Sequence, residues 1–560
     1  MLTTAHRKYR PAPSIPMGER LWPQQVITQA PRWCSVDLRD GNQALPTPMN
    51  PQRKSRMFQL LTSLGFREIE AGFPAASKDD YDFLRQLTTS VPEQVAIQVL
   101  TTARREHIER TFAALQGMPQ AIVHFYISTS PLQRRLVFGV GEKELIQRAV
   151  EAASLIYDLS QRQPETRWSF EFSPESFSAT EPEFALEMCE AVGQVWQSMP
   201  PQRVIFNLPA TVEVASPNRY ADQIEWFHRH FSRRQEILLS IHPHNDRGCA
   251  VAAAELALLA GADRVEGALF GNGERTGNLD LVTLAMNLHA QGIDCGLDFS
   301  HMGEVVECYR HCTGMEVHPR HPYAGELVFT AFSGSHQDAI RKGLAANQED
   351  GLWQVPYLPV DPRDVGAGLE LVIRVNSQSG KAGAAHLLQQ ETGIVLPKWL
   401  EPEFARLVQE TTEQRGVELT SGEVANLFHQ NLCHPPVLLS LVHYHMGEEG
   451  LTLTVSVAGQ TVTLHGTGTG PLDAACQALA LPWSLHQYEE RAMSEGSHAQ
   501  AIAFIALMQK EACHTCSGVA IHENIVTASL LALLTAVNRA MPLLPEAQQQ
   551  EIMARWLPPA

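Results

Sequence analysis

The sequence predicts an α/β fold, with a (β/α)8 TIM barrel in its first half and a smaller α+β domain near its C-terminal end. At 560 residues the chain is too long for one ordinary hydrophobic core, so at least two domains are expected. Over residues 33–290, short β-like runs alternate with longer amphipathic runs, which is typical of repeated βα units. About eight such units fit this span, the number that a TIM barrel requires.

The predicted strands are short apolar segments that end at polar residues. They are residues 33–38, 66–71, 94–100, 121–128, 167–172, 203–207, 236–241 and 263–268. Helical periodicity separates them, most clearly over residues 54–64, 142–159, 183–195 and 251–259. An open doubly wound sheet is the main alternative. The number of units and the lack of a Gly-rich phosphate-binding turn after the first strand favour the barrel.

The segment Ile241-His242-Pro243-His244-Asn245-Asp246 ends the seventh predicted strand. His242 and His244 are two residues apart, and such residues point to the same face of a strand. Two imidazoles on one face can bind one metal ion. Because a His-x-His pair alone is more often an ordinary loop feature, the interpretation depends on what the other strands offer.

Polar side chains of the metal-binding and acid–base types also end the other predicted strands. Since TIM-barrel active sites lie at the carboxyl ends of the strands, these side chains are expected at one mouth of the barrel. They are Arg39 and Asp40 after the first strand, Glu171 at the end of the fifth, Asn207 and Thr211 at the sixth, and Glu274 and Asn278 after the eighth. Glu70 is left out of the predicted site, because it can equally be a structural carboxylate that pairs with Arg39.

Asp40, His242 and His244 together can hold a divalent cation that keeps open coordination positions. Such a cation is a Lewis acid for the ketone of a bidentate 2-oxo acid. Arg39 can stabilise the alkoxide that forms when a carbanion attacks this ketone, and Glu171 can act as a base or an orienting partner. The residues therefore predict carbon–carbon bond formation or cleavage next to a carbonyl. A non-haem iron oxygenase uses similar ligands, but that reading leaves Arg39 without a role.

The second half of the chain changes pattern twice. Residues 292–432 are predicted to be mostly helical, with loops such as 351–362. From about Pro435, residues 438–444, 451–457 and 461–464 alternate like antiparallel strands and precede a helix at 472–480. A second round follows with strands at 499–508 and 519–521 and a helix at 525–537. Two such rounds predict a pseudo-symmetric α+β domain.

The composition is that of a soluble globular protein, with 44% hydrophobic and 19% charged residues. A formal net charge of −18 argues against a general nucleic-acid-binding protein, which is usually basic. Residues 1–10 predict no signal peptide, and the apolar run 528–537 is too short to cross a bilayer. The 10 scattered cysteines suggest reduced thiols in a cytoplasm, and the pair Cys513 and Cys516 is interpreted as incidental.

Two long motifs resemble the signatures of the α-isopropylmalate/homocitrate synthase family. The first is Leu38-Arg39-Asp40-Gly41-Asn42-Gln43, with Lys54 at the expected later spacing. The second is Leu239 through His242-Pro243-His244-Asn245-Asp246-Arg247-Gly248 to Ala252. Related lyases and biotin-dependent carboxyltransferase domains share these signatures, so they indicate a class of chemistry and not a substrate.

Similarity to the long-form α-isopropylmalate synthases of this family extends over nearly the whole chain, including residues 170–175, 207–213, 271–278, 333–340, 355–359 and 374–381. The resemblance implies an acyltransferase that converts acetyl-CoA, 3-methyl-2-oxobutanoate and water to 2-isopropylmalate and CoA. This reaction is the committed step of leucine biosynthesis.

The resemblance also implies a role for each matching residue. Asp40, His242, His244 and Asn278 would be metal ligands, and Arg39 and Thr211 would hold the oxo acid. The residues of proton transfer would be Glu171, His336 and Tyr357, with Glu274 near them. The family implies Mg²⁺, although these nitrogen and oxygen ligands are also compatible with Mn²⁺, Zn²⁺ or Co²⁺.

The C-terminal domain resembles a leucine-binding regulatory domain that gives feedback inhibition. Without the resemblance, it would be interpreted as a dimerisation domain. The positions that match the effector pocket are Gly468, Gly470, Leu472, Leu485, Tyr488, Ala492 and Ala499. Thr469 stands where the family often has Asn, and residues 511–517 match less well. These departures bear on leucine sensitivity and not on catalysis.

We therefore expect an N-terminal arm (1–30), a catalytic barrel (31–305), linker subdomains that contribute to the active site (306–434) and a regulatory domain (435–560). The expected molecule is a cytoplasmic homodimer that binds neither nucleic acid nor membranes. One alternative is a homocitrate or citramalate synthase, because a pocket distinguishes single methylenes by only about 1–3 kcal/mol. Another is a non-catalytic amino-acid sensor built on a retired barrel.

Overall fold

The computed structural model describes residues 4–348, 351–368, 381–415, 419–493, 499–509 and 515–557. The chain folds as two compact units. The first comprises Met1–Phe329 and Val360–Gly368, and the second comprises Thr330–Pro359 and Leu369–Ala560. The finer division into an arm, a barrel, linker subdomains and a regulatory domain stays a prediction.

The first unit contains a closed barrel of eight parallel strands in sequential order, in which the first strand also pairs with the last. The strands are β1 Arg32–Ser35, β2 Glu68–Glu70, β3 Ala96–Thr102, β4 Gln120–Ser128, β5 Arg167–Glu175, β6 Val204–Ala210, β7 Ile237–Pro243 and β8 Arg264–Gly267. The TIM barrel is confirmed. The closed strand order excludes the open doubly wound sheet.

Helices follow the strands in the order that a βα repeat predicts. They are α1 Pro51–Ser63, α2 Lys78–Leu87, α3 Arg105–Leu115, α4 Pro131–Gln133, α5 Glu142–Ser160, α6 Pro182–Val195, α7 Pro217–His230, α8 Ala250–Leu259, α9 Leu281–His289 and α10 Met302–Thr313. Several begin with Pro in the first turn, where the missing N–H has no helical partner to lose.

Several predicted strand ends differ from the structure, and the errors in the first and fifth strands change where site residues lie. The first strand ends at Ser35, because residues Asp37–Gly41 form a π-helical turn. The buried carboxylate of Asp37 stabilises this turn, since it accepts hydrogen bonds from the Ser35 hydroxyl (2.8 Å) and the Leu269 amide (3.1 Å). The fifth strand continues to Glu175, so Glu171 lies in its middle and not at its end.

Aromatic side chains fill much of the space between the barrel strands and the outer helices. Trp196, at the end of α6, is 1% exposed and packs against Phe125 and Phe170 at ring-centroid distances of 5.8 and 5.2 Å. Its indole N–H donates to the carbonyl of Ala153 in α5 at 3.0 Å. This residue therefore ties strands β4 and β5 to two outer helices.

The second unit begins with four helices, α11 Gly334–Ala346, α12 Lys381–Thr392, α13 Glu401–Arg415 and α14 Ser421–Phe428. Its C-terminal part has two antiparallel three-stranded sheets. The first comprises β9 Leu439–Gly447, β10 Gly450–Val457 and β11 Gln460–Gly466, followed by α15 Pro471–Leu479. The second comprises β12 Trp483–Ala492, β13 Ala501–Gln509 and β14 Thr515–His522, followed by α16 Ile525–Ala540 and α17 Glu546–Trp556.

The predicted pseudo-symmetric α+β domain is confirmed, but its second round has one more strand than predicted. Strand β12 was missed because it is an edge strand with mostly polar or partly exposed residues. The region Ile525–Leu543 is long and apolar enough to cross a membrane by length and composition, yet 67% of its apolar window is buried inside the protein. It is a core helix of this domain, packed on both sheets' buried faces.

We predict that Trp196→Ala destabilises the barrel, because it removes a buried aromatic ring and leaves a cavity. The free energy of unfolding should fall by about 3–5 kcal/mol. Urea denaturation of the full chain, followed by circular dichroism, measures the change. Leu136→Ala is the control, since Leu136 is 68% exposed and its loss should cost less than about 0.5 kcal/mol. Equal effects of the two substitutions would contradict this packing account.

Candidate metal centre

A cavity of about 260 Å³ opens at the carboxyl ends of the barrel strands. Its lining combines polar and apolar side chains from all parts of the barrel mouth. The lining residues are Arg39, Asp40, Gln43, Phe73, Leu100, His124, Tyr126, Ser173, Glu175, Asn207, Pro209, Thr211, His242, His244, Glu274 and Arg275. Most of the barrel residues predicted for the site therefore meet in one cavity.

Asp40, His242 and His244 converge at the floor of this cavity. The Nε2 atoms of His242 and His244 lie 3.6 and 3.7 Å from Oδ2 of Asp40. Each separation is less than twice the roughly 2.1 Å of a metal–ligand bond, so an ion can bridge Asp40 to either histidine. The three ligand atoms all lie within 4.8 Å of one another.

The surroundings of these side chains fit a divalent cation. Oδ2 of Asp40 is buried without a hydrogen-bond partner in the described part of the chain. A buried carboxylate oxygen without a partner costs free energy, and a bound cation would offset that cost. Oδ1 of Asn278 lies 2.9 Å from Nε2 of His242. The Asn278 amide N–H donates to the carbonyl of Asn272 at 2.9 Å, which turns its oxygen towards the histidine.

Electrostatics favour positive charge at the same point. Burial lowers the pKa of His242, but the negative charges of Asp40 and Glu266 and the hydrogen bond with Glu266 outweigh burial and raise it to about 10. Burial, with the neighbouring His242, lowers the pKa of His244 to about 4. Burial would raise the pKa of Asp40, yet the neighbouring positive groups, Arg39 first and then His242 and His244, together outweigh burial, lower this pKa and hold the carboxyl ionised. The site thus combines a carboxylate with imidazoles in a field that attracts cations.

Arg39 is held in the cavity wall by two carboxylates. Its Nε donates to Glu70 at 2.5 Å, and one terminal nitrogen donates to Oδ1 of Asp40 at 2.8 Å. Glu70 is fully buried and pairs with Arg39, which is the structural role predicted as one interpretation of the sequence. The pair fixes the guanidinium beside the candidate metal ligands.

Glu171 lies beneath the cavity and is fully buried. Its carboxylate is 3.5 Å from Nε2 of His124 and 3.4 Å from a terminal nitrogen of Arg264. Burial raises the pKa of Glu171 well above its ordinary value, so its neutral form is favoured. His124, which contacts Glu171, does line the cavity, so its imidazole lies between Glu171 and the open space.

Loops after three strands are joined at the rim of the cavity. Arg275 donates to Asp246 at 2.6 Å and to the carbonyl of Thr211 at 2.6 Å. The Thr211 hydroxyl accepts from the amide of Ser176 at 2.9 Å, which fixes its orientation. Glu274 lies on the exposed rim, where Gln43 donates to it at 3.4 Å.

Sequence reasoning missed a buried polar network below the ligands. Glu266, Gln98, His124 and Arg264 lie inside the barrel on β8, β3 and β4, where they bond to one another or to Glu70. The sequence contains a partial signal, because Gln98 and His124 are polar residues within mostly apolar strands and Glu266 and Arg264 are charged residues within a predicted barrel strand. Without the register of neighbouring strands, however, the sequence does not show which of them face the same point.

His336 and Tyr357 belong to the second unit, where the structure brings them together. Their rings stack with centroids 4.0 Å apart. Tyr357 has a left-handed backbone (φ 65°) and is 61% exposed. A left-handed conformation is unusual for a bulky residue and is often found at functional sites. Their predicted role in proton transfer stays a prediction.

The predicted effector-pocket residues lie on two sets of elements in the second unit. Gly468 and Gly470 lie on the turn that leads into α15, and Leu472 lies in the first turn of that helix. Leu485, Tyr488 and Ala492 pair with the buried residues Leu507, Ile505 and Ala501 of β13, so they share the face of the sheet that packs on α16. Ala499 lies just before β13. The pocket itself stays a prediction.

Tyr488 is partly exposed, and its hydroxyl lies 3.0 Å from that of Ser529 on α16.

Three sequence predictions fall partly outside the described residues: the motif at 374–381, the poorly matching stretch 511–517 and the pair of Cys513 with Cys516.

Three family models match consecutive parts of the chain. The model described as HMGL-like matches residues 30–308. The model described as alpha-isopropylmalate synthase, post-catalytic domain-like, matches residues 326–389. The model described as LeuA allosteric (dimerisation) domain matches residues 418–541.

Curated relatives match almost from end to end. The 2-isopropylmalate synthase of Ralstonia nicotianae is 51% identical, with 100% of this chain and 99% of the relative covered. That of an Azoarcus species is 52% identical over 96% of this chain and 97% of the relative. That of Pseudomonas fluorescens is 51% identical over 97% and 98%. With this identity over nearly its full length, the chain belongs to the 2-isopropylmalate synthase family.

Proposed function

We propose that this protein condenses acetyl-CoA with 3-methyl-2-oxobutanoate and water to give 2-isopropylmalate and CoA. The observation that carries the proposal is the convergence of Asp40, His242 and His244 beside Arg39, in a chain about half identical to such synthases over its full length. We further propose that the protein acts in the cytoplasm. A retired sensor barrel would have no reason to retain this arrangement of ligands.

In the proposed reaction, the methyl carbon of acetyl-CoA loses a proton and forms a bond with the ketone carbon of the oxo acid. Water then cleaves the thioester and releases CoA. Asp40, His242, His244 and Asn278 are the proposed ligands of a divalent metal, and Mg²⁺ is the proposed native ion. When bound, the ion polarises the ketone and stabilises negative charge on its oxygen.

Arg39 and the apolar wall are suited to bind the oxo acid. Because Glu70 and Asp40 hold the Arg39 guanidinium, its charge is preorganised towards the oxygen that becomes negative. Thr211 offers a hydroxyl at the same mouth. Phe73, Leu100 and Pro209 give part of the cavity an apolar surface, which suits a short branched side chain. The carboxylates of Glu175 and Glu274 would repel a second carboxylate on the substrate.

Proton transfer is proposed for Glu171, His336 and Tyr357, and Glu274 is proposed to assist it. Removal of a proton from the weakly acidic acetyl methyl group needs a positioned base, and a histidine titrates close to neutral pH. The neutral form favoured for Glu171 suits it to donate a proton rather than to accept one first. These assignments rest on the match of sequence motifs.

We also propose that leucine binds the C-terminal domain and inhibits the enzyme. The relevant support is the match to the LeuA allosteric (dimerisation) domain and the partly exposed face of β12 that carries Leu485, Tyr488 and Ala492. The same family model supports a homodimer. Gly468, Gly470, Leu472 and Ala499 complete the proposed pocket.

The test is CoA release from acetyl-CoA, followed with a thiol reagent, in the presence of a panel of 2-oxo acids. We expect 3-methyl-2-oxobutanoate to be the best substrate and EDTA to abolish release, because the ketone must be polarised by a metal. Restoration of activity by Mg²⁺ or Mn²⁺ is the control for damage by the chelator. Preference for pyruvate or 2-oxoglutarate would indicate a citramalate or homocitrate synthase, and no release with any acid would contradict an enzymatic role.

We predict that Ala492→Leu weakens inhibition by leucine without lowering the activity measured in its absence. Filling the pocket should cost about 1–3 kcal/mol of binding, so half-inhibition should need about 5- to 150-fold more leucine. Tyr488→Phe should act in the same direction, because it removes the hydroxyl near Ser529. Tyr444→Phe, on the other sheet of the domain, is the matched control. An unchanged leucine response in both pocket variants would contradict this location.

A further inference from the structure

Glu266 is a fully buried carboxylate in the last barrel strand, and each of its oxygens has two partners. Oε2 lies 2.7 Å from Nδ1 of His242 and accepts from the side-chain amide of Asn207 at 3.2 Å. Oε1 accepts from Gln98 at 2.6 Å and from Arg264 at 2.9 Å. The carboxylate is therefore held from three sides while it faces the imidazole.

This arrangement selects one tautomer of His242. An ionised carboxylate only accepts hydrogen bonds, and the guanidinium of Arg264 next to Glu266 favours the ionised form. Nδ1 of a neutral His242 must therefore carry the hydrogen, which leaves the lone pair on Nε2. Nε2 is the atom that lies 3.6 Å from Asp40 Oδ2 and 2.9 Å from Asn278 Oδ1.

The neighbouring histidine has no such support. Nδ1 of His244 is buried and has no hydrogen-bond partner among the residues that the structure describes. The two imidazoles of the candidate centre therefore differ, although both direct Nε2 towards Asp40. Only His242 has its ring fixed by a charged group from behind.

We propose that Glu266 is the positioning residue of the metal centre: it fixes the tautomer and orientation of His242 and so determines how tightly the divalent metal binds. The inference rests on the proposed metal site. Carboxylate–histidine–metal arrangements generally contribute about 10- to 100-fold to metal affinity, because the outer carboxylate orients the ring and makes it more basic. Glu266 does not line the cavity, so it acts through the side chains that it holds, and among these His242 is the proposed metal ligand.

The test is Mn²⁺ binding by the full-length protein, measured from the electron paramagnetic resonance signal of free Mn²⁺. We expect Glu266→Gln to raise the dissociation constant about 10- to 100-fold. The nitrogen couplings of bound Mn²⁺ should also change, because one of the two imidazoles is no longer held. A merely structural role would leave these couplings as they are in the unaltered protein.

Glu68→Gln is the matched control. Glu68 accepts from Nε of Arg264 at 2.5 Å, so this substitution removes a charge from the same guanidinium without touching His242. We expect it to leave Mn²⁺ affinity within about twofold of the unaltered protein. If both variants lose affinity equally, the effect comes from Arg264 and the proposal is overturned.

Glu266→Asp covers the case in which the Gln variant does not fold. It keeps the negative charge beside Arg264 but withdraws the carboxylate from Nδ1 of His242, so Mn²⁺ binding should again weaken by at least about 10-fold. Unchanged affinity and couplings in a folded variant would overturn the role of Glu266 and leave the proposed function intact. Absence of Mn²⁺ binding and of condensation in the unaltered protein would overturn both.

Discussion

The buried charges inside the barrel are the constraint on which the rest of the site depends. The ionised carboxyl groups of Asp40, Glu70 and Glu266 outnumber the guanidinium groups of Arg39 and Arg264 in this interior, and the neutral form favoured for Glu171 adds no charge. Buried charges are stable only when they are paired and hydrogen-bonded. Two of these carboxylates, Asp40 and Glu266, face the ring of His242. A divalent cation bound beside His242 would offset the remaining negative charge of the buried carboxylates.

The same constraint explains the arrangement of the mouth. If Arg39 moved away from Glu70, a buried carboxylate would lose its guanidinium partner. This cost holds the π-helical turn that carries Arg39 and Asp40 in place. On the opposite side, Glu266 and Asn278 hold His242 from two directions. Such preorganisation reduces the reorganisation needed during a reaction. The polar network is thus a framework for the ligands.

Sequence patterns predicted the barrel well, because eight repeats of an apolar strand and an amphipathic helix leave few alternative folds. They also predicted that most of the polar residues chosen at the strand ends meet in one cavity, since parallel strands present their carboxyl ends at one mouth. They did not predict Glu266, Arg264 or Gln98, whose role depends on strand register around the barrel. They misplaced the end of the first strand, because the π-helical turn depends on a long-range bond from Asp37 to Leu269.

Strand β12 shows a second reason why a sequence pattern can fail to predict an element. Its alternation is weak because one face is only partly covered, so the sequence resembles a polar loop. That partial exposure is also what makes its Leu485, Tyr488 and Ala492 face a candidate for ligand binding. When one face of an edge strand is covered only by a ligand or a partner, its sequence is expected to show a weak alternation of polar and apolar residues.

The most direct test of the central claim is the position of a bound metal. Crystals of the full-length protein grown with Mn²⁺ should show one strong anomalous peak in the barrel mouth, about 2.1–2.3 Å from Oδ2 of Asp40 and Nε2 of His242 and His244. A peak elsewhere, or an empty mouth at saturating Mn²⁺ in crystals of active protein, would contradict the account.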